Sequence, residues 1–162
     1  MPKKTGKFQF VPFLICLFIP LFVGFLGSML TLDSVKTWYL TLNKPAFNPP
    51  NAVFGPVWSL LYLLMGISSY LVWKKRKTAM GYSWAIGIYV LQLLLNLMWS
   101  FLFFYQHQIG FALIEIGLLL LTIIINAFIF YRIDKTAGWL FVPYILWVSF
   151  ASYLTYSISL LN

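Results

Sequence analysis

Five apolar runs, each about as long as a bilayer is thick, constrain this chain more than anything else in it. A helical crossing takes roughly 20 apolar residues at about 1.5 Å of rise each. Runs of that kind lie at about 9–30, 51–73, 79–105, 108–131 and 138–160. In lipid every backbone polar group must be satisfied internally, which leaves helices as the solution for segments of this length. The expectation is an all-α integral membrane bundle of five transmembrane helices, a single transmembrane domain over 1–162. Only 9% of residues are charged and 62% are hydrophobic, which excludes an ordinary soluble domain. The first run is uncharged from Phe8 to Leu32, too long for a signal-peptide core, so it reads as an uncleaved span.

The stretch from about 31 to 50 is the one long connection, and it is unusual. Trp38, Tyr39 and Phe47 share it with Pro45, Pro49 and Pro50. Proline fixes φ, removes a donor and pushes the residue before it toward extended geometry. Residues 43–50 are therefore not expected to be regular helix. A stiff, aromatic, weakly charged segment between two spans reads as a lid over something apolar.

Charge sets an expected orientation. Lys3, Lys4 and Lys7, then Lys74 to Lys77, then Arg132 and Lys135 fall on one side of a five-span chain, with only Lys36 and Lys44 on the other. The positive-inside rule places the first side, with the N-terminus, in the cytoplasm and the lid and C-terminus outside. The net charge of +8 is explained by this topology and by lipid head groups, with no nucleic acid partner. Cys16 is the one cysteine and His107 the one histidine, so neither a disulfide nor a metal site is expected. His107 reads as a solvated turn residue.

Polar residues within spans usually face a bundle interior. Gln92, Asn96 and Ser100 recur every four residues on the third span, beside Trp99 and Phe103. Trp58, Tyr62 and Met65 share a face of the second span, and Trp147, Ala151 and Leu154 a face of the fifth. Together these faces would enclose an aromatic pocket with a few polar groups. The plainer reading is interhelical hydrogen bonding by the polar residues. Trp73, Trp84 and Trp139 sit near span ends as interfacial anchors. Gly24, Gly27 and Ser28, and the pair Ser83 and Gly87, suit close helix approach within the bundle or between two copies. Glu115 is the one acid within a span, expected to be neutral or paired with a hydroxyl or with Lys44; a relay would need further acids. No halves suggest a transporter repeat.

Four motifs carry a resemblance. They are W-Y-x-x-L-x-K-P-x-x-x-P-P (Trp38 to Pro50), G-P-V-W-x-x-L-Y-x-x-M-G-x-x-S-Y-L-V-W-K (Gly55 to Lys74), L-Q-L-x-L-N-x-x-W-S (Leu91 to Ser100) and P-Y-x-x-W-x-x-F-A-x-x-L (Pro143 to Leu154). In this order they resemble the translocator protein family, also called the tryptophan-rich sensory protein or peripheral-type benzodiazepine receptor family. The resemblance implies that the loop after the first helix caps a pocket. It implies binding of porphyrins such as protoporphyrin IX and of isoquinoline-carboxamide or benzodiazepine-type drugs, frequent homodimers, and no required cofactor. The ligand-binding set carried over is Tyr39, Pro49, Phe54, Trp58, Tyr62, Gln92, Asn96, Trp99, Ser100, Trp147, Ala151 and Leu154. Some bacterial members are reported to degrade protoporphyrin in light, and for that reaction Trp58 and Trp147 are the candidate catalytic residues. Transport of tetrapyrroles or lipids is a further alternative. No Lys or Arg follows Lys135, so the cholesterol-recognition pattern of animal members is incomplete. The overall look is bacterial, with a cell-membrane location expected.

Overall fold

In a computed structural model describing residues 8–162, five helices are long and apolar enough to cross a membrane. Helix α1 is Phe10–Lys36, and the short α2, Trp38–Thr41, follows it. Then come α3, Asn51–Lys74, and α4, Tyr82–Ser100, which runs on through a π-helical turn at Phe101–Tyr105. Helix α5 is Ile109–Ile133, α6 is Lys135–Trp139 and α7 is Val142–Leu161. The protein is a five-helix membrane bundle. Lys3, Lys4 and Lys7 of the topology argument lie outside the described residues.

Two boundaries differ from the sequence reading. Helix α1 continues to Lys36, so 31–36 is helix and not lid. Thr31 donates to the Gly27 carbonyl (2.8 Å) and Thr37 to the Asp33 carbonyl (2.7 Å), so these hydroxyls bond back into the helix and not into a turn. The last span is preceded by α6 and a bend at Leu140 and Phe141, which seats the 0% exposed Phe141 in the core.

Each helix holds its neighbours through a few close contacts. At Gly66 the α1 backbone passes so near that an added Cβ would sit 2.8 Å from Leu17 Cα. The Gln9 N–H donates to Tyr70 Oη (2.8 Å), and Phe13 meets the same ring edge-on. Asn126 Nδ2 of α5 donates to the Ala85 carbonyl of α4 (3.3 Å), and Ser68 Oγ of α3 donates to the Ala137 carbonyl of α6 (2.8 Å). In the middle, Asn96 joins three helices. It accepts from Tyr62 Oη (2.5 Å) and donates to Tyr144 Oη (2.9 Å), so its buried amide is bonded on both sides.

The end far from the lid carries the one ion pair among the described residues, Lys75 Nζ to Asp134 Oδ2 at 2.7 Å. Asp134 also caps α6, accepting from the Ala137 N–H (3.1 Å). Burial alone would raise its carboxyl, but the bonds from Lys75 and from the Ala137 and Thr136 backbone outweigh it and hold the group below its usual range. A depressed folded-state value adds stability that is full above the ordinary carboxylate range and fades as pH falls below about 4. Asp134→Ala is expected to cost about 1–2 kcal/mol, mostly the lost cap because the ion pair is half exposed. Melting curves of both proteins in detergent should converge on acidification below that range and stay apart at neutral pH.

Candidate functional site

A cavity of about 570 Å³ occupies the lid end of the bundle, between α1, α3, the end of α4 and α7. Its make-up follows from what each helix presents at that level. Helix α1 brings small and polar groups: Gly24, Gly27, Ser28 and Thr31. Gly24 is held against the Tyr62 ring and Gly27 faces Ser100 Oγ, so any larger residue at Gly24 would displace that tyrosine. Helix α3 brings Phe54, Trp58 and Tyr62, one face of two helical turns. Helix α4 brings Asn96, Trp99 and Ser100, and α7 brings Trp147 and Ala151.

The aromatic walls brace one another. Trp58 stacks on Tyr62 with centroids 5.7 Å apart, and Phe54 meets Trp147 edge-on at 5.8 Å. Trp99 stacks on Phe103 at 5.3 Å and meets Phe104 edge-on at 5.7 Å. Such pairs fix ring orientation beyond simple burial. Two tryptophans of this wall hold unpaired donors: among the described residues neither the Trp99 nor the Trp147 indole N–H has an acceptor, and both are buried. A buried donor left unpaired costs about 1–3 kcal/mol.

The lid is fastened along one side. Tyr39 turns inward, 4% exposed, and donates to Asn48 Oδ1 (2.8 Å). Burial, only partly offset by that bond, pushes its hydroxyl above the usual range, so it stays a donor. Lys44 Nζ bonds the carbonyls of Tyr39 (2.6 Å) and Leu42 (3.2 Å) and sits 4.7 Å from the Tyr39 ring centre. Trp38 stacks on His107 at 4.1 Å, and His107 Nε2 lies 3.3 Å from Ser34 Oγ. Phe47 stacks on Tyr153 at 5.2 Å. Asn43 N–H donates to Asn162 Oδ1 (2.9 Å), and Asn162 Nδ2 donates back to the Asn43 carbonyl (3.0 Å).

Nine of the twelve residues carried over as ligand-binding line the cavity: Tyr39, Phe54, Trp58, Tyr62, Asn96, Trp99, Ser100, Trp147 and Ala151. Pro49, Gln92 and Leu154 do not. A four-residue step advances a helix by about 40° beyond a full turn, so residues eight apart diverge by about 80° and lie about 12 Å apart along the axis. Asn96 and Ser100 reach the cavity, while Gln92 lies below its floor, 0% exposed, with Nε2 3.7 Å from Met65 Sδ. Leu154 packs with Tyr39, Phe103 and Ile158 under the lid. Pro49 is held in the lid, its carbonyl accepting from Asn48 Nδ2 (3.0 Å), while Tyr39 provides the ceiling.

The sequence reading missed Val35 and Phe104 and did not identify α1 as a wall. Gly24, Gly27 and Ser28 were the available signal, since small residues that admit a neighbouring helix also admit a ligand. Glu115 has neither of its expected partners; both carboxyl oxygens lack a hydrogen bond among the described residues, and Lys44 is engaged by the lid.

Comparison with known proteins agrees with this architecture. A family model described as TspO/MBR family matches residues 16–161. The tryptophan-rich protein TspO of Chlorobaculum tepidum is 39% identical over 158 residues, 95% of this chain and 98% of that protein. The translocator protein of Bos taurus is 35% identical over 142 residues, 85% of this chain and 82% of its own. The tryptophan-rich sensory protein of Cereibacter sphaeroides is 34% identical over 136 residues, 84% of this chain and 82% of its own.

Proposed function

The chain belongs to the TspO/MBR family, and from that membership and the cavity we propose a receptor-like membrane protein that binds porphyrins or related tetrapyrroles, protoporphyrin IX above all. Isoquinoline-carboxamide and benzodiazepine-type drugs would occupy the same space. The observation that carries this reading is an aromatic-walled cavity, beside which two buried indole donors have no acceptor among the described residues. Its volume, about 570 Å³, is within the usual range for small-molecule sites. A flat conjugated ring fits between the walls, and a small turn of the Trp99 or Trp147 ring would bring its buried N–H to an acceptor on the ligand's edge. Ala151 leaves room for a ring to approach α7. Lys36, on the rim, suits a carboxylate; Lys44, bonded into the lid, is less available. We place the protein in the cell membrane with the lid outside and the N-terminus in the cytoplasm, from the lysine and arginine asymmetry.

Trp147→Phe tests the donor. It keeps the ring and removes the N–H, and protoporphyrin IX should bind about tenfold more weakly, a loss of about 1.4 kcal/mol. Unchanged affinity would mean that Trp147 offers the ligand only its face.

Light-driven oxidative breakdown of the bound porphyrin is the second reading, favoured by Trp58 and Trp147 on the cavity wall. The pigment would absorb the photon, take an electron from a tryptophan and pass it to dioxygen, the oxidant. The oxidised tryptophan would recover an electron from the pigment, and the pigment radical cation and superoxide would combine, both oxygen atoms ending on the opened ring. Trp58→Phe should then bind the pigment in the dark and lose product formation under light. Measured at saturating pigment, Trp147→Phe should lose it too. Normal product formation by both variants sinks the tryptophan mechanism and leaves the binding reading intact.

A further inference from the structure

A second hollow, of about 620 Å³, opens at the end of the bundle away from the lid. It is walled by the α3–α4 turn from Lys75 to Gly81, by Trp84, and by the last turns of α5 from Phe128 to Ile133. Two chemistries meet in it. The outer wall is apolar and bare: Met80 is 95% exposed, Trp84 76% and Phe128 60%. The rim is cationic. Lys74, Lys75, Arg76, Lys77, Arg132 and Lys135 gather at this end, with Asp134 the one carboxylate near them.

These cations are not equally free. Lys75 is engaged by Asp134 and by the Ile133 carbonyl (3.0 Å). Arg76 lies over the Trp73 ring at 3.5 Å and donates to the Trp73 carbonyl. Arg132 lies 5.3 Å from the Phe128 ring centre, on the hollow's wall, and makes no ion pair among the described residues. Gly81, also on the wall, is the N-cap of α4 and brings no side-chain oxygen to the first-turn N–H groups.

We propose that this hollow binds one anionic phospholipid, its phosphate on Arg132 and an acyl chain along Trp84 and Phe128. The hollow lies where spans α3, α4 and α5 end, at the depth of the head groups. A guanidinium's planar fork matches phosphate oxygens, and such pairs are stronger than neutral hydrogen bonds. The excess of cations selects a net negative head group over a zwitterionic one, as basic pockets between helix ends do. The apolar wall requires a chain attached to that phosphate. The site shares no residue with the lid-end cavity, so it stands whatever that cavity holds.

The test uses the full-length protein in detergent. It is titrated with phosphatidylglycerol carrying brominated acyl chains and, separately, with the matching brominated phosphatidylcholine. The readout is the part of the tryptophan quenching that disappears in Trp84→Phe. Phosphatidylglycerol should quench Trp84 at a concentration about tenfold lower than phosphatidylcholine. Arg132→Gln should remove that preference, Arg132→Lys should keep part of it, and inorganic phosphate should not displace the lipid. Arg132 is exposed, so both variants should keep the native melting temperature. Equal quenching by the two lipids, a preference that survives Arg132→Gln, or displacement by inorganic phosphate would each overturn the proposal.

Discussion

Gly66→Leu is expected to leave no native bundle. Even one added carbon at Gly66 would lie 2.8 Å from Leu17 Cα and 3.0 Å from the Cys16 carbonyl oxygen. Both are backbone atoms of α1, which cannot rotate away as a side-chain tip can. Helices α1 and α3 must therefore separate. Helix association in lipid depends on close packing and has no water-driven term to compensate for the gap. Gly66→Ala should already cost about 1–3 kcal/mol, the usual penalty for overpacking. Leucine adds three more carbons at the same place and should exceed what the bundle tolerates. Gly87→Ala is the control, because nothing lies within 4 Å of a Cβ there. It should melt no lower than the parent, with any change upward from helix propensity. Melting temperature and monodispersity in detergent check all three, and a Gly66→Ala protein as stable as the parent contradicts the packing described.

The second large effect concerns the cavity. Ala151→Trp should abolish ligand binding while the protein still folds. Ala151 is 6% exposed and lines the cavity, so a larger side chain there projects into the space that a flat ring needs. The same cavity gives the new indole somewhere to go, which keeps the cost to folding modest. Protoporphyrin IX affinity should fall by at least about a hundredfold, roughly 2.7 kcal/mol. Leu154→Trp makes a useful contrast. It lies one turn further on, packed under Tyr39 and Phe103, and should loosen the lid's support before it blocks the cavity.

Much of this architecture was legible because the bilayer fixes helix length. An apolar run of about 20 residues has few alternatives in lipid, so the five spans could be placed from hydropathy alone. The ends were harder. Asp33, Ser34 and Lys36 read as a loop by composition, yet they continue α1 past its apolar run, and charge outside an apolar core is no obstacle to helix. The π turn at Phe101–Tyr105 has no proline or glycine to announce it. Its extra residue lets the Gln106 N–H bond the Phe101 carbonyl (2.9 Å), and Phe103 packs with Trp99 beneath the lid.

The cavity was partly legible for a similar reason. Trp58, Tyr62, Trp147 and Ala151 share faces that simple helical spacing reveals. The Gln92, Asn96, Ser100 stripe drifts around its helix, so spacing alone could not say which of the three meets the cavity. Helix α1 was silent as a wall because glycine and serine have the same signature whether they face a helix or a ligand. His107 is exposed, as a turn residue is expected to be, but it also stacks on Trp38 and so holds the lid. That contact joins residues 69 positions apart, and no local pattern encodes it.

The measurement that tests the central claim most directly is a dark titration of the purified protein with protoporphyrin IX in detergent. Tryptophan fluorescence and pigment absorbance are followed together, with Ala151→Trp run beside the parent. The account predicts saturable quenching with one pigment per chain in the parent and none that saturates in the variant. Quenching that never saturates in the parent, or that saturates equally in both proteins, would contradict a tetrapyrrole site in this cavity.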